Sequence, residues 1–96
     1  MKKKTGKELS FITVMGQDRK GIVASVSQFL YKNEINIEDI SQKIIEGYFV
    51  MTMLVDIANA AIPLEKLRDG LDGIGKKLRI KITIQHENIF KMMHRV

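Results

Sequence analysis

The residues best suited to do chemistry lie in one short run, Gly16-Gln17-Asp18-Arg19-Lys20-Gly21. An apolar strand pattern leads into it and a helical pattern leaves it. The first amides of a helix have no partner within the helix and carry the positive end of its dipole. Arg19, Lys20, Gly21 and Ile22 would present such amides, and the side chains of Arg19 and Lys20 add full positive charge. That combination suits holding a carboxylate or phosphate. Gly21 lets a ligand or a neighbouring chain approach the backbone closely. A plainer account fits the same residues. Asp18 can cap the helix by accepting its free amides, Gly16 can simply end a strand, and Arg19 and Lys20 can stand in solvent. On spacing alone this plainer account is the simpler one. The run is too short, and of the wrong pattern, for a nucleotide phosphate loop or a dinucleotide fingerprint.

Other chemistries find little support. The chain has no cysteine, which removes disulfides, thiol catalysis and thiolate metal sites together. His86 and His94 are not in a metal-ligand spacing, so no metal and no cofactor is expected. Ser25 and Ser27 have no histidine placed to activate them. Glu38 and Asp39 are neighbours on a strand and point to opposite faces, a poor acid/base pair. No catalytic residue is therefore assigned, and the chain does not read as an enzyme.

The elements that must position the loop follow from periodicity. Leu9 to Gly16 carries apolar groups on both faces, as a central strand does. Ile22, Val26, Phe29 and Leu30 recur at helical spacing, and that helix should end near Asn33. A second strand starts at Ile35 and Ile37. The parity then changes to Ile40, Gln42 and Ile44, which implies a bulge or bend near Glu38-Asp39. Glu46-Gly47 reads as a hairpin turn. Tyr48 to Ile57 is a third strand, apolar at every odd position and half apolar at Tyr48, Val50, Thr52 and Leu54. Pro63 suits the first position of a second helix with Leu64, Leu67, Leu71 and Ile74 as its stripe, closed by Gly75. Leu78, Ile80, Ile82 and Ile84 alternate as a final strand. Ile89, Phe90, Met93 and Val96 suggest a short amphipathic tail helix.

The order β-α-β-β-α-β places two crossover helices on one face of a four-stranded antiparallel sheet. The fold class is α+β, a ferredoxin-like sandwich with a short C-terminal tail helix. Its 96 residues suffice for one core. The net charge of +5 comes largely from Lys2, Lys3, Lys4 and Lys7, without which 12 basic residues face 11 acidic ones. Residues 1–8 therefore read as a basic disordered tail and 9–96 as the single domain. No apolar run spans a membrane and no signal peptide is legible, so a cytoplasmic protein is expected. The sheet face bearing Tyr48, Val50, Thr52 and Leu54 is too apolar to face water alone. A partner subunit or the tail helix should cover it.

The stretch from Phe11 to Asp56 resembles an ACT domain, a small amino-acid-sensing module. The likeness rests on the short loop with Asp18 and Gly21, the helix from Ile22 to Leu30, Asn36-Ile37 opening the second strand, Ser41-Gln42 within it, and Tyr48-Phe49-Val50-Met51 opening the third. The run from Asn36 to Gln42 is similar to ACT modules of the glycine cleavage repressor and formyltetrahydrofolate deformylase. The whole length looks most like small stand-alone ACT proteins. In ACT domains that bind amino acids, the ligand lies between subunits and touches the first loop and the start of a neighbour's second strand. The resemblance thus implies a ligand edge of Gln17, Asp18, Arg19, Lys20, Gly21 and Ile22 with Asn36, Asn36 being equally readable as a strand-entry residue. Amides near Gly21 would hold a carboxylate, and Asp18 and the Asn36 oxygen would accept from an ammonium. Two departures stand out: Lys20 replaces a frequent proline, and Asp18 stands where some amino-acid-binding relatives carry asparagine. Gln42, Tyr48, Val50 and Leu54 are the interface candidates.

The reading is a non-catalytic regulatory module, partnered by a second copy of itself, by a small amino-acid-like ligand and by a metabolic enzyme or regulator. One alternative is a purely structural oligomerisation domain. Another is a single-stranded RNA-binding module of the same element order, which needs an aromatic third strand. Here Glu46 replaces a basic residue and Val50 an aromatic, leaving Tyr48 as the only stacking ring on that face. An acylphosphatase-like enzyme would need a phosphate-cradling loop that the run at Arg19 does not match.

Overall fold

The structure, a computed structural model, describes residues 6–87. Six elements follow in chain order: β1 (Leu9–Gln17), α1 (Ile22–Lys32), β2 (Asn36–Ile45), β3 (Tyr48–Asp56), α2 (Leu64–Leu78) and β4 (Lys81–His86). The four strands form one antiparallel sheet in the order β2-β3-β1-β4. The expected ferredoxin-like arrangement is therefore present. The expected tail helix at Ile89, Phe90, Met93 and Val96 lies outside the described residues.

Alternation explains which side of each strand is buried. Ile12 and Val14 of β1, and Met51, Met53 and Val55 of β3, are fully buried beneath the helices. Ile82 and Ile84 of β4 continue that layer. Val26 and Leu30 of α1 and Leu67 and Leu71 of α2 close it from above. Burying each such side chain stabilises the fold by about 1.5–3 kcal/mol.

The bulge falls where the parity change put it. The pairing of β2 with β3 steps from Ile37 opposite Val55 to Asp39 opposite Leu54, so Glu38 is the extra residue. Glu46 and Gly47 both have positive φ, 50° and 84°, which fits a two-residue hairpin turn of the primed kind.

Several boundaries differ from expectation: β1 runs on to Gln17, β2 opens at Asn36 and β3 stops at Asp56. Pro63 sits just before α2 rather than inside it. The helix does not end at Gly75 but runs on to Leu78, so Leu78 belongs to the helix and not to the last strand. Arg79 ends it in the left-handed region at φ 57°, and the Ile80 N–H donates to the Gly75 carbonyl at 2.9 Å. Gly75 is needed for proximity: a Cβ there would lie 2.7 Å from the Ile80 carbonyl oxygen. The anchored chain also begins before Leu9. Lys7 pairs with Glu38, and the Glu8 carbonyl accepts from Ile57 N–H at 2.8 Å.

Candidate functional site

The candidate loop sits at one end of the sheet, where Gln17 closes β1 opposite Tyr48. Asp18 does not cap the helix. Its N–H donates to the Gly47 carbonyl at 3.1 Å, which ties the loop to the hairpin tip. Gly21 takes the N-cap position with φ 86°, in the left-handed region that favours glycine, and its carbonyl accepts from Ser25 N–H at 2.8 Å. Among the described residues no side chain caps α1, and no acidic residue lies in its first turn. Asp18, Arg19 and Lys20 are exposed just before the positive end of the helix. A Cβ on Gly21 would meet nothing within 4 Å, so space is open there. Ile22 is a core residue, 2% exposed, so its side chain is not part of the loop surface.

Asn36 is not near this loop. It opens β2 opposite Asp56, and Leu9 at the start of β1 is paired with the same residue. Leu9 and Gln17 are eight residue steps apart along β1, so the two ends stand about 27 Å apart. Around Asn36 the chemistry is acidic. Its Nδ2 donates to the Glu38 carboxylate, which also pairs with Lys7. The hydrogen bond from Lys7, then that from Asn36, holds the Glu38 carboxyl below its usual range, while Glu38 raises Lys7. Asp56 accepts from Ala58 N–H and Glu8 N–H, each at 3.0 Å, and the Ala58 bond is the first cause of its lowered pKa. The partnership of Glu38 with Asn36 could be suspected only from their spacing of two along a strand.

The interface candidates divide between two faces. Tyr48, Val50 and Leu54 point away from the helices, together with Met15, and Tyr48 is 57% exposed. Phe11 shares this face, so Tyr48 is not its only ring. Phe11 lies six residues along β1 from Gln17, the partner of Tyr48, or about 20 Å, too far for the two rings to stack successive bases. Gln42 is on the other face, because it pairs with the buried Met51. Ile40 and Ile44 flank it, and the helices do not reach over them: Ile44 is 62% exposed. They form an apolar shelf beside Phe49, with a hollow of about 340 Å³. Ile45 adds a third exposed isoleucine to the same edge strand.

Among the described residues no three His, Cys, Asp or Glu side chains come together to hold a metal ion. No described helix is long and apolar enough to cross a membrane.

The sequence profile of the ACT domain matches residues 8–85. The chain is 48% identical over 85 residues to the UPF0237 protein of Methanocaldococcus jannaschii, covering 88% of this chain and 94% of that protein. It superposes on the ACT domain protein from Streptococcus pneumoniae with a TM-score of 0.78 at 36% identity, over 88% of this chain and 96% of that one. A formyltetrahydrofolate deformylase from Pseudomonas syringae pv. tomato gives a TM-score of 0.79 at 24% identity, over 86% of this chain and 28% of that one. At that identity the likeness is one of fold.

Proposed function

Because this chain belongs to the ACT domain family, we propose that it is a non-catalytic regulatory module that binds an amino acid or similar small carboxylate between two copies of itself. The observation that carries this reading is the separation of the two halves of the site. The cationic loop and the Asn36–Glu38 pair lie at opposite ends of one sheet. β2 is an edge strand of ten residues with Ile40, Ile44 and Ile45 exposed. Pairing it antiparallel with β2 of a second copy sets the start of one strand beside the end of the other. Asn36 of one protomer then approaches the end that holds Gln17, Tyr48 and the loop of its partner. The two-fold axis makes two such sites.

Charge divides the work within each site. The ligand carboxylate goes to the open amides of α1 and to Arg19 and Lys20. The ammonium goes to the neighbour's Glu38 carboxylate and to the Asn36 oxygen. The Asn36 amide nitrogen donates to Glu38, and its carbonyl oxygen is the side chain's acceptor for the ammonium. A ligand held this way binds the dimer and not the monomer, so it acts by shifting assembly. The chain's metabolic partner would read that shift.

The experiment is thermal unfolding against a panel of free amino acids and small carboxylates. A ligand at 100 times its Kd adds about 2.7 kcal/mol, which raises Tm by roughly 10–20 °C in a domain of this size. Asn36→Ala should abolish the shift while leaving the unliganded Tm within a few degrees, since Asn36 is exposed. No shift with any member of a broad panel refutes the reading.

A further inference from the structure

We propose that the groove between α2 and the free edge of β4 is a docking site for an acidic, extended segment of a partner protein, which joins the sheet as a fifth strand. β4 pairs with β1 on one side and ends the sheet on the other. The Ile84 carbonyl points away from β1, because Arg68 Nη2 reaches it at 3.4 Å. The N–H and C=O of one residue in an antiparallel strand point to the same side, and residues two apart share that side. The Ile82 and Ile84 amides and the Ile82 carbonyl therefore face the groove, where the two residues are 4% and 3% exposed, so a docking strand reaches them by displacing the long side chains that line it. Such a row is a template for another strand.

The surroundings select the sign of that strand. The groove encloses about 650 Å³, and Arg68, Lys76, Arg79 and Lys81 line it with Asp72 as the one carboxylate. All four cations are exposed. A second copy of the same edge would bring four cations against four, so self-pairing is opposed. A segment of acidic side chains meets complementary charge along the whole groove. Arg68 acts as the switch between the free and docked edge. While the edge is free its guanidinium occupies the Ile84 carbonyl. An incoming carboxylate offers it a bidentate partner and releases that carbonyl to the new strand. β4 lies at the opposite edge from β2, so this surface stays open when β2 is engaged, and the proposal does not depend on ligand binding at the loop.

The test titrates the full chain with a fluorescein-labelled peptide of about eight residues alternating glutamate and valine, long enough to span the six residues of β4. The lysine–valine peptide and an oligouridylate of similar length serve as comparisons. Saturable binding of the acidic peptide is expected, weakening as salt is raised, with slowed hydrogen exchange at the Ile82 and Ile84 amides. The double variant Lys76→Glu/Lys81→Glu should lose at least about tenfold in affinity at unchanged Tm. The single Lys76→Ala, on the exposed face of α2, should lose less in the same direction. Unprotected Ile82 and Ile84 amides at saturating peptide would overturn the proposal. So would oligouridylate binding as tightly as the acidic peptide, or charge reversal without effect.

Discussion

Replacing Ile44 by lysine offers the sharpest test of how two copies meet. Ile44 is 62% exposed on the helix side of β2, beyond the reach of α1 and α2. Fully burying an isoleucine stabilises by roughly 1.5–3 kcal/mol, so covering this exposed portion contributes about 1–2 kcal/mol. A two-fold interface contains the residue twice, which makes the loss about 2–4 kcal/mol for the dimer. The association cost is common to both proteins and cancels in their difference. Ile44→Lys should therefore raise the dimer dissociation constant roughly 30- to 1,000-fold. Analytical ultracentrifugation over a wide range of concentrations measures it directly. Because Ile44 belongs to no part of the buried core, far-UV circular dichroism should stay unchanged. Tyr48→Lys, on the opposite face, serves as the comparison. A constant that Ile44→Lys leaves unaltered, or that Tyr48→Lys raises more, would refute edge pairing through β2 and point to the outer sheet face instead.

Three further outcomes test the fold. Gly73→Ala should stabilise by about 0.8–1 kcal/mol, since a Cβ there meets nothing within 4 Å, whereas Gly75→Ala should destabilise because the Ile80 carbonyl stands 2.7 Å from the new carbon; urea denaturation of both distinguishes them. Ser10→Ala should stabilise by about 1 kcal/mol, because the Ser10 hydroxyl is fully buried and finds no hydrogen-bond partner among the described residues; an unchanged or lowered urea midpoint would count against this. Asp56→Ala should cost about 1–2 kcal/mol at neutral pH by freeing the Glu8 and Ala58 amides. The Asp56 pKa is lowered on folding, so its contribution is present above the ordinary carboxylate range and is lost as pH falls through the depressed value; the two proteins' stabilities should converge in strong acid.

Much of the frame was legible in the residues, and the failures have separate causes. The parity change after Ile37 placed an irregularity near Glu38-Asp39, because side chains alternate strictly along a strand and one extra residue reverses the order, and the extra residue is Glu38. The end of α2 was not legible. Gly75 looks like a stop, but it is a point of contact with a carbonyl five residues later, and Arg79 takes the left-handed conformation that glycine usually fills. Asp18 has the right chemistry for a cap, yet its place is decided by a hairpin nearly thirty residues away in sequence. The candidate site divides along the same line. The loop could be found from a strand, a glycine and a helix in series. The roles of Glu38, Ile40 and Ile44 depend on which strand lies at the edge and how far the helices reach. Those are properties of the assembled sheet.

The hydrogen bond from Asp18 to Gly47 makes the loop and the β2–β3 hairpin one mechanical piece. Gly47 is the pivot of a two-legged lever whose outer leg is β2. A force that draws the loop toward α1 must therefore twist the outermost strand, over a span of about 30 Å. Conversely, clamping that strand stiffens the loop before any small molecule arrives. The coupling runs through the backbone, by this bond and by the Gln17–Tyr48 pair beside it, so a substitution breaks the bond only by removing the Asp18 N–H, as Asp18→Pro would.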